Sequence, residues 1–336
     1  MSERDAHPVP ATPSVVTLTA SGAIDATYRI ATLERGAFTR ASGYERELSG
    51  KGVNVSAALD LAGVGTAAVV VVGEDDLAFV QRSPHRDLLR IVAVPGATRV
   101  NTSVIDDAGS TTKINAPTPP ITATAWLEAQ TAVSAACSDL GAGWVVVCGT
   151  VPVVDGAPAP LVDVVRAAGR DGRRVAVDTS GAALTALAAD PAGIALMKPN
   201  THELAELVGT PLRTIGDVVS AARQLRARGV GIVYTSMGAD GVLVVAESGV
   251  VHAKAEARAL VNTAGAGDAS LAGFLVGLGG EGGGEAALAR AAATAASWGA
   301  HAVAQGTTIL RTLDGLPAAE VTRDPDAAIA LTEPAV

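Results

Sequence analysis

The sequence predicts an α/β protein: a doubly wound, mainly parallel sheet flanked by helices, with a small β-sheet projecting from it. Three observations predict this class. From residue 122 onward, apolar strand-like runs alternate with helical stretches, the signature of βαβ units. Nearly half of the residues are apolar (49%) while aromatics make up only 3%, so Ala, Val, Gly and Leu must fill the core. Such a core suits helices packed closely on a sheet covered on both faces. Two early strand pairs, over 28–47 and 98–114, fall outside the alternation and are expected to form the small projecting sheet.

Taken in order, 15–19 reads as a buried strand that runs into Ala23-Ile24-Asp25. Residues 28–30 and 37–47 alternate loosely and read as exposed strands. A helical period covers 52–61, and a strand covers 67–72 before the turn Gly73-Glu74-Asp75. Strands over 98–105 and 111–114 flank the turn Asp106-Asp107-Ala108-Gly109. Helix 124–137 leads to strand 144–148, helix 160–168 to strand 174–178, strand 194–197 to helix 201–207, and helix 215–228 to strand 231–235. A hairpin over 241–253, a helix near 266–278 and an Ala-rich helix over 285–304 complete the pattern. The expected domain is 14–312, with lid strands at about 27–48 and 97–116. Residues 1–13 and 313–336 are terminal extensions, the second Pro- and Asp-rich and expected to cover surface.

Composition excludes several function classes. A formal charge of −9 argues against a general nucleic-acid or membrane-surface binder. Two cysteines, Cys137 and Cys148, are too few for a disulfide framework, and no Cys/His cluster has zinc spacing. No apolar run is long enough to span a membrane and the start has no signal-peptide apolar region, so a cytoplasmic protein is expected. Only four lysines occur, at 51, 113, 198 and 254, and Lys51 and Lys198 both fall inside motifs.

Asn262-Thr263-Ala264-Gly265-Ala266-Gly267-Asp268, followed by an apolar run, is the most informative stretch. The small residues let the N–H groups of Gly265, Ala266 and Gly267 converge where a helix begins, which makes an anion cradle. Asp268, in the first turn, is placed to take a proton from an attacking hydroxyl. The spacing reads as phosphoryl transfer to an alcohol. A tight turn with Asp as helix cap is the plain structural alternative.

Ser49-Gly50-Lys51-Gly52-Val53-Asn54 puts a lysine between glycines at a helix start, where a phosphate could approach the backbone. It is not a Walker A loop, because Gly follows the lysine. Arg99, in Thr98-Arg99-Val100-Asn101, is a second cation for a sugar phosphate, or else a surface arginine. In Lys198-Pro199-Asn200-Thr201-His202-Glu203, Asn200 and Glu203 form a capping box or organise hydrated Mg²⁺, and both can hold together. Ser236-Met237-Gly238-Ala239-Asp240-Gly241 joins two strands, and its glycines suit either a nucleotide or an ordinary hairpin. Gly277-Leu278-Gly279-Gly280-Glu281-Gly282 matches the dinucleotide fingerprint but follows a helix, so it reads as a linker, and a dehydrogenase is the least favoured of the rival readings. Asp25, Gly149-Thr150, Lys198 and Ser236 all follow predicted strands, where open α/β sheets bind ligands.

With these residues in place, the chain resembles the PfkB (ribokinase-like) carbohydrate kinases, and among them the branch typified by 1-phosphofructokinase and tagatose-6-phosphate kinase. The resemblance runs from about residue 15 to 308 and rests on Gly265-Ala266-Gly267-Asp268, on Ser49 to Val55, and on the order Arg99, Asn101, then Thr112-Lys113-Ile114-Asn115-Ala116-Pro117. It implies a ribokinase-like fold with Asp268 as base and Gly265, Ala266 and Gly267 as anion hole. It implies Asp25, Gly50, Lys51 and Asn54 at the sugar, with Lys51 and Arg99 on its phosphate. Lys198, Asn200, Ser236, Gly238 and Gly241 fall to the nucleotide, and Asn200 with Glu203 to Mg²⁺ through water. The projecting strands would be the lid, which pairs with another lid in homodimers of the family.

The chain departs from the branch at Ser21-Gly22, where Asn-Pro is usual, at Gly149-Thr150-Val151-Pro152, at Ala269, and across a short 73–95 segment containing Ser83-Pro84-His85. The expected activity is ATP-dependent phosphorylation of a ketohexose monophosphate, with fructose 1-phosphate first. Tagatose 6-phosphate, fructose 6-phosphate, an unphosphorylated sugar or nucleoside, and a non-catalytic sugar-phosphate-binding role are the alternatives.

Overall fold

The computed structural model of the chain describes residues 12–191, 193–280 and 284–335. β1 (Val15–Thr19) is buried throughout. The chain then leaves the body in β2 (Ala23–Ile30), returns in β3 (Gly43–Ser49) and enters α1 (Lys51–Leu61). β4 (Thr66–Gly73), the short helix α2 (Leu77–Val80) and β5 (Leu89–Val94) follow. A second excursion, β6 (Arg99–Asp106) and β7 (Thr111–Asn115), precedes α3 (Ala123–Leu140).

From there the alternation is regular. β8 (Trp144–Cys148) is followed by a small hairpin, β9 (Val153–Val154) and β10 (Ala157–Pro158), and by α4 (Leu161–Arg170). Then come β11 (Arg174–Asp178), α5 (Gly181–Ala189), β12 (Ile194–Met197) and α6 (Thr201–Val208). β13 (Leu212–Thr214), α7 (Ile215–Ala227) and β14 (Ile232–Ser236) lead to the hairpin β15 (Val242–Ala246) and β16 (Gly249–Ala255). Helices α8 (Ala266–Leu278) and α9 (Glu285–Ala302) precede two final strands, β17 (Ala319–Arg323) and β18 (Ala330–Ala335).

Ten strands form one sheet in the order β17-β16-β15-β14-β12-β11-β8-β1-β4-β5. β5 through β14 run parallel, and β14 to β17 antiparallel. The central strands are buried along nearly their whole length because helices cover both faces. On one face α3 to α7 pack their Ala, Val and Leu side chains into the larger core cluster. On the other face α1, α8 and α9 meet the sheet around Tyr234, Phe274 and Trp298. This is the predicted doubly wound architecture, and all the parallel strands deliver their carboxyl ends to one edge.

The two excursions join into a separate four-stranded sheet, β3-β2-β6-β7, in which β2 pairs β6 in parallel. The strand expected over 37–47 is displaced to Gly43–Ser49. Gly36 turns at φ +83°, and the Ser42 amide donates to the Arg29 carbonyl at 2.8 Å, closing a loop before the strand begins. Helix α5 and strand β5 fall where the sequence offered no expectation. The segment after Leu313 is more than a surface covering: β17 extends the large sheet and β18 pairs with β13. Residues 1–11, and Glu281 and Gly282 of the 277–282 linker, lie outside the described residues. Among the described residues, no helix is long and apolar enough to cross a membrane.

Helix α8 carries the candidate cradle, and its seat is set by glycine. A Cβ at Gly277 would lie 2.7 Å from the Ala291 Cα, and one at Gly273 would lie 2.9 Å from the Thr294 carbonyl oxygen. The α8 and α9 backbones therefore approach closely over two helical turns. Gly277→Val should overpack this contact and cost about 1–3 kcal/mol of stability, read as a lower urea midpoint. An unchanged midpoint would mean the two helices are not pressed together there.

Candidate functional site

At the sheet edge where the parallel strands end, charged side chains sit in a largely apolar interior. Asp178, the last residue of β11, is 1% exposed. Its Oδ1 accepts from Lys51 Nζ at 2.6 Å and its Oδ2 from Lys198 Nζ at 2.8 Å. Burial alone would raise the Asp178 pKa, but Lys198 and Lys51 outweigh it and hold the carboxyl at about 2. For Lys51, burial pushes toward the neutral amine, yet Asp178 and then Asp268 outweigh it and raise its pKa above the ordinary lysine value. One carboxylate thus fixes the two motif lysines, one from the start of α1 and one from the end of β12. Asp178 was not among the predicted site residues. Its signal was present all the same: an acid ending an apolar strand in the middle of a parallel sheet.

Asp268 lies in the first turn of α8 and is also buried. It accepts a hydrogen bond from Asn54 Nδ2 at 2.8 Å. A carboxylate offers only acceptors, so the amide turns its nitrogen toward it and its oxygen away. Desolvation raises the Asp268 pKa to about 6; Lys51 works against the rise, Asp178 adds to it, and the Asn54 bond and Lys198 oppose it. Gly265 precedes α8 at φ +78°, and a Cβ there would fall 1.8 Å from the Thr308 carbonyl oxygen. A Cβ on Gly267 would lie 3.3 Å from Lys198 Nζ, so that ammonium faces the helix start. Ala266 sits between them, as the first residue of α8. Free amides, a helix N-terminus and an adjacent lysine together favour an anion.

The α1 motif is equally constrained. Gly50 adopts φ +138°, and a Cβ there would meet Thr19 Cγ2 at 2.6 Å. Gly52 donates its amide to Thr19 Oγ1 at 3.0 Å. These contacts press α1 onto β1 and project Lys51 and Asn54 toward Asp178 and Asp268. On the small sheet, Asp25 and Asn101 are register partners, and Asn101 Nδ2 donates to Asp25 Oδ1 at 3.2 Å. Arg99 reaches the Gly22 carbonyl at 3.4 Å and Thr150 Oγ1 at 3.3 Å. No bond links Arg99 to Lys51 directly; they meet through Gly149-Thr150, since a Cβ on Gly149 would lie 3.8 Å from Lys51 Cβ. The free Oδ1 atoms of Asn54 and Asn101 are buried without a partner. Buried acceptors of this kind call for a donor, from a ligand or from an ordered water. A cavity of about 330 Å³ opens between the small sheet and the body, with Asp25, Asn262, Thr308 and Arg311 in its wall; of the predicted site residues only Asp25 lines it.

Asn200 and Glu203 form the reciprocal capping box at the start of α6, with both bonds at 2.9 Å. Asn200 Oδ1 is thereby committed to a backbone amide, whereas Glu203 keeps its second carboxylate oxygen. Among the described residues, no group of three His, Cys, Asp or Glu side chains is arranged to hold a metal ion. The donor set fits a hydrated ion reached through water rather than one bound by a full protein cage. Ser236 bridges to Asn200, its amide donating to the Pro199 carbonyl at 3.2 Å, so the two loops are joined there. Gly238 is exposed at φ +55°. Gly241 has a packing reason of its own, because a Cβ there would meet the Ala253 carbonyl oxygen at 2.2 Å.

With this geometry established, comparison with known proteins identifies the family. Residues 18–302 match the family described as pfkB family carbohydrate kinase. The 1-phosphofructokinase of Rhodobacter capsulatus is 36% identical over 268 residues, covering 78% of this chain and 82% of that protein. Among solved structures, a chain described as a possible 1-phosphofructokinase from Thermotoga maritima superposes with a TM-score of 0.77 at 24% identity, over 93% of this chain and 100% of that one. The phosphofructokinase-2 of Escherichia coli in complex with fructose-6-phosphate gives 0.72 at 23% identity, over 85% and 93%. The chain belongs to the pfkB family of carbohydrate kinases and has the ribokinase-like fold.

The two aspartates make opposite predictions for stability. Asp178 has a folded pKa below its ordinary 3.8, so its contribution is present above about pH 4 and is lost as pH falls toward 2. Asp268 has a folded pKa above 3.8, so its ionisation opposes folding at neutral pH, and acidification from about pH 6 toward 4 relieves that cost. Asp268→Asn should therefore be more stable than the parent at pH 8, by on the order of 2–3 kcal/mol, with the gap closing near pH 4. Urea unfolding at the two pH values checks this, and a gap that did not depend on pH would contradict it.

Proposed function

We propose that this chain is an ATP-dependent kinase of a ketohexose monophosphate, with fructose 1-phosphate as the first substrate and fructose 1,6-bisphosphate as the product. The observation that carries the proposal is Asp268: a buried carboxylate beside a helix-start anion cradle, with its pKa raised to about 6. A general base works best when its pKa lies near the working pH, and at pH 7 this group is ionised and basic. The 36% identity to the 1-phosphofructokinase of Rhodobacter capsulatus supports the sugar phosphate as acceptor.

In this reading the sugar lies between the lid and the body. Asp25 accepts from its hydroxyls, and the unpartnered amide oxygens of Asn54 and Asn101 accept from others. Lys51 and Arg99 supply charge for the phosphate already present. Asp268 takes the proton of the acceptor hydroxyl as that oxygen attacks the γ-phosphorus of ATP. The new P–O bond forms as the bond to the β-phosphate oxygen breaks, and ADP leaves. The amides of Gly265, Ala266 and Gly267, together with Lys198, face the charge that develops on the transferred group. Asn200, Ser236, Gly238 and Gly241 line the nucleotide side. Mg²⁺ would be held through water at the free oxygen of Glu203 and would neutralise phosphate charge. The enzyme works in the cytoplasm, and the exposed Tyr28, Tyr44 and Ile114 on the lid's outer face supply a surface for pairing two lids in a homodimer.

ADP release with Mg-ATP across fructose 1-phosphate, fructose 6-phosphate, tagatose 6-phosphate, fructose and ribose tests the assignment. Turnover should be greatest with fructose 1-phosphate and should fall roughly 10²–10⁴-fold in Asp268→Asn. Lys51→Ala should raise the KM for the sugar phosphate sharply. Turnover on unphosphorylated sugars alone would overturn the substrate class, and near-normal turnover by Asp268→Asn would overturn the base.

The pH profile gives a second check. Only the ionised carboxylate can accept the proton, so kcat/KM should rise with pH through a limb near 6. Asn54 lowers the Asp268 pKa, so Asn54→Leu should move that limb to higher pH as well as reduce activity. A limb that stays in place would remove Asp268 as the titrating group.

A further inference from the structure

The chain continues for more than thirty residues beyond the family match, which ends at residue 302. The last strand, β18, reaches the loop between β14 and β15. Thr332 gives two hydrogen bonds to one side chain of that loop: its amide donates to Asp240 Oδ2 at 2.7 Å and its hydroxyl to Asp240 Oδ1 at 2.6 Å. Both oxygens of Asp240 are thus taken up by a single residue of the tail. The next residue, Glu333, places Oε2 3.3 Å from where a Cβ of Gly238 would stand.

The tail that makes these contacts is firmly seated. Leu331 and Ala335 are buried in the larger core cluster, and Ala330 and Ala335 pair with Thr214 and Leu212 of β13. The amides of Ile215 and Gly216 donate to the carbonyls of Ile329 and Ala327 at 2.9 and 3.0 Å, so the tail also satisfies free donors at the start of α7. The loop is otherwise a tight turn, closed by the Met237 amide to the Gly241 carbonyl at 2.8 Å, and its Asp240 carbonyl meets His252 Nε2 at 2.7 Å. An exposed turn containing two glycines at positive φ is an entropically costly place to hold a ligand unless something orders it first.

We propose that the C-terminal strand is a working part of the nucleotide site, with Thr332 a positioning residue that pre-orders the 238–241 loop through Asp240. The proposal rests on the assignment of that loop to the nucleotide. The loop is joined to the 198–200 segment through Ser236, so a clasp at Asp240 steadies both candidate nucleotide loops from the side away from the sugar. Ordering before binding strengthens nucleotide affinity without touching the sugar or the proton transfer.

The test is titration calorimetry of the full chain with MgADP, alongside steady-state kinetics. Thr332→Val and Asp240→Ala should each weaken MgADP binding and raise the KM for ATP, roughly three- to tenfold. The KM for the sugar phosphate and kcat should stay near the parent values. Thr332→Ser should restore binding, because it restores the hydroxyl. The double variant should be no weaker than the worse single variant, since both changes remove the same contact. Unchanged MgADP affinity in both single variants would overturn the clasp. Parallel loss of affinity for MgADP and the sugar phosphate, with a lowered Tm, would also overturn it, as general loosening. If the parent chain itself bound no MgADP, the nucleotide assignment would fall first and the clasp with it.

Discussion

The arrangement depends on one buried carboxylate holding two ammonium groups. Lys51 and Lys198 come from segments far apart in sequence, and both converge on Asp178. Two cations against Asp178 alone would leave a net positive charge in the interior. Asp268 brings the count to two of each sign when it is ionised. The cluster is then neutral as a whole, yet its charges are spread across a cleft rather than paired off. In the proposed reaction an arriving phosphoryl group would meet the ammonium side, and an arriving hydroxyl the carboxylate side. In a protein with formal charge −9, two of the four lysines are gathered here.

This cluster is possible only because of the parallel sheet. Asp178, Lys198 and Ser236 lie at or directly after the ends of β11, β12 and β14, which are neighbours in the sheet order. Asp268 and Lys51 come instead from helix starts on one face, where N–H groups without intrahelical partners favour negative charge. Strand ends contribute one half of the site and helix starts the other. The glycines at 50, 52, 265, 273 and 277 bring the two halves within bonding distance, since a Cβ at any of them would meet an atom closer than 3 Å.

Much of this was legible before any coordinate. β1, β8, β11 and β12 have the predicted bounds, because an apolar run between polar breaks leaves a buried strand little choice of register. Gly265 to Asp268 and Lys51 were legible because glycines placed against helix propensity signal a backbone requirement. Asp178 was not picked out, since its role exists only once two distant lysines converge on it, and no local pattern encodes a pairing across 127 residues. The lid register was harder to read for another reason. β3 is buried only at its last two residues, so no alternating buried face fixes which of the others point inward. The tail strands were hidden by their composition: proline and aspartate read as loop, and pairing to β16 and β13 overrides that local preference.

The pKa values of the two aspartates explain why the same interior can be both stable and reactive. Asp178 is over-satisfied: two ammonium groups outweigh its desolvation, so it stabilises the fold and has no tendency to take a proton at neutral pH. Asp268 is under-satisfied: it has one amide donor, and the nearby lysines face it without bonding to it. Its ionised form is destabilised by burial, and that is what suits it to the base role proposed for it, because accepting a proton relieves the desolvation cost. Were Asp268 held by both lysines as Asp178 is, it too would have no tendency to take a proton at neutral pH. The division of labour therefore comes from geometry alone: both residues are aspartates, both are buried, and what separates them is how many cations each can touch.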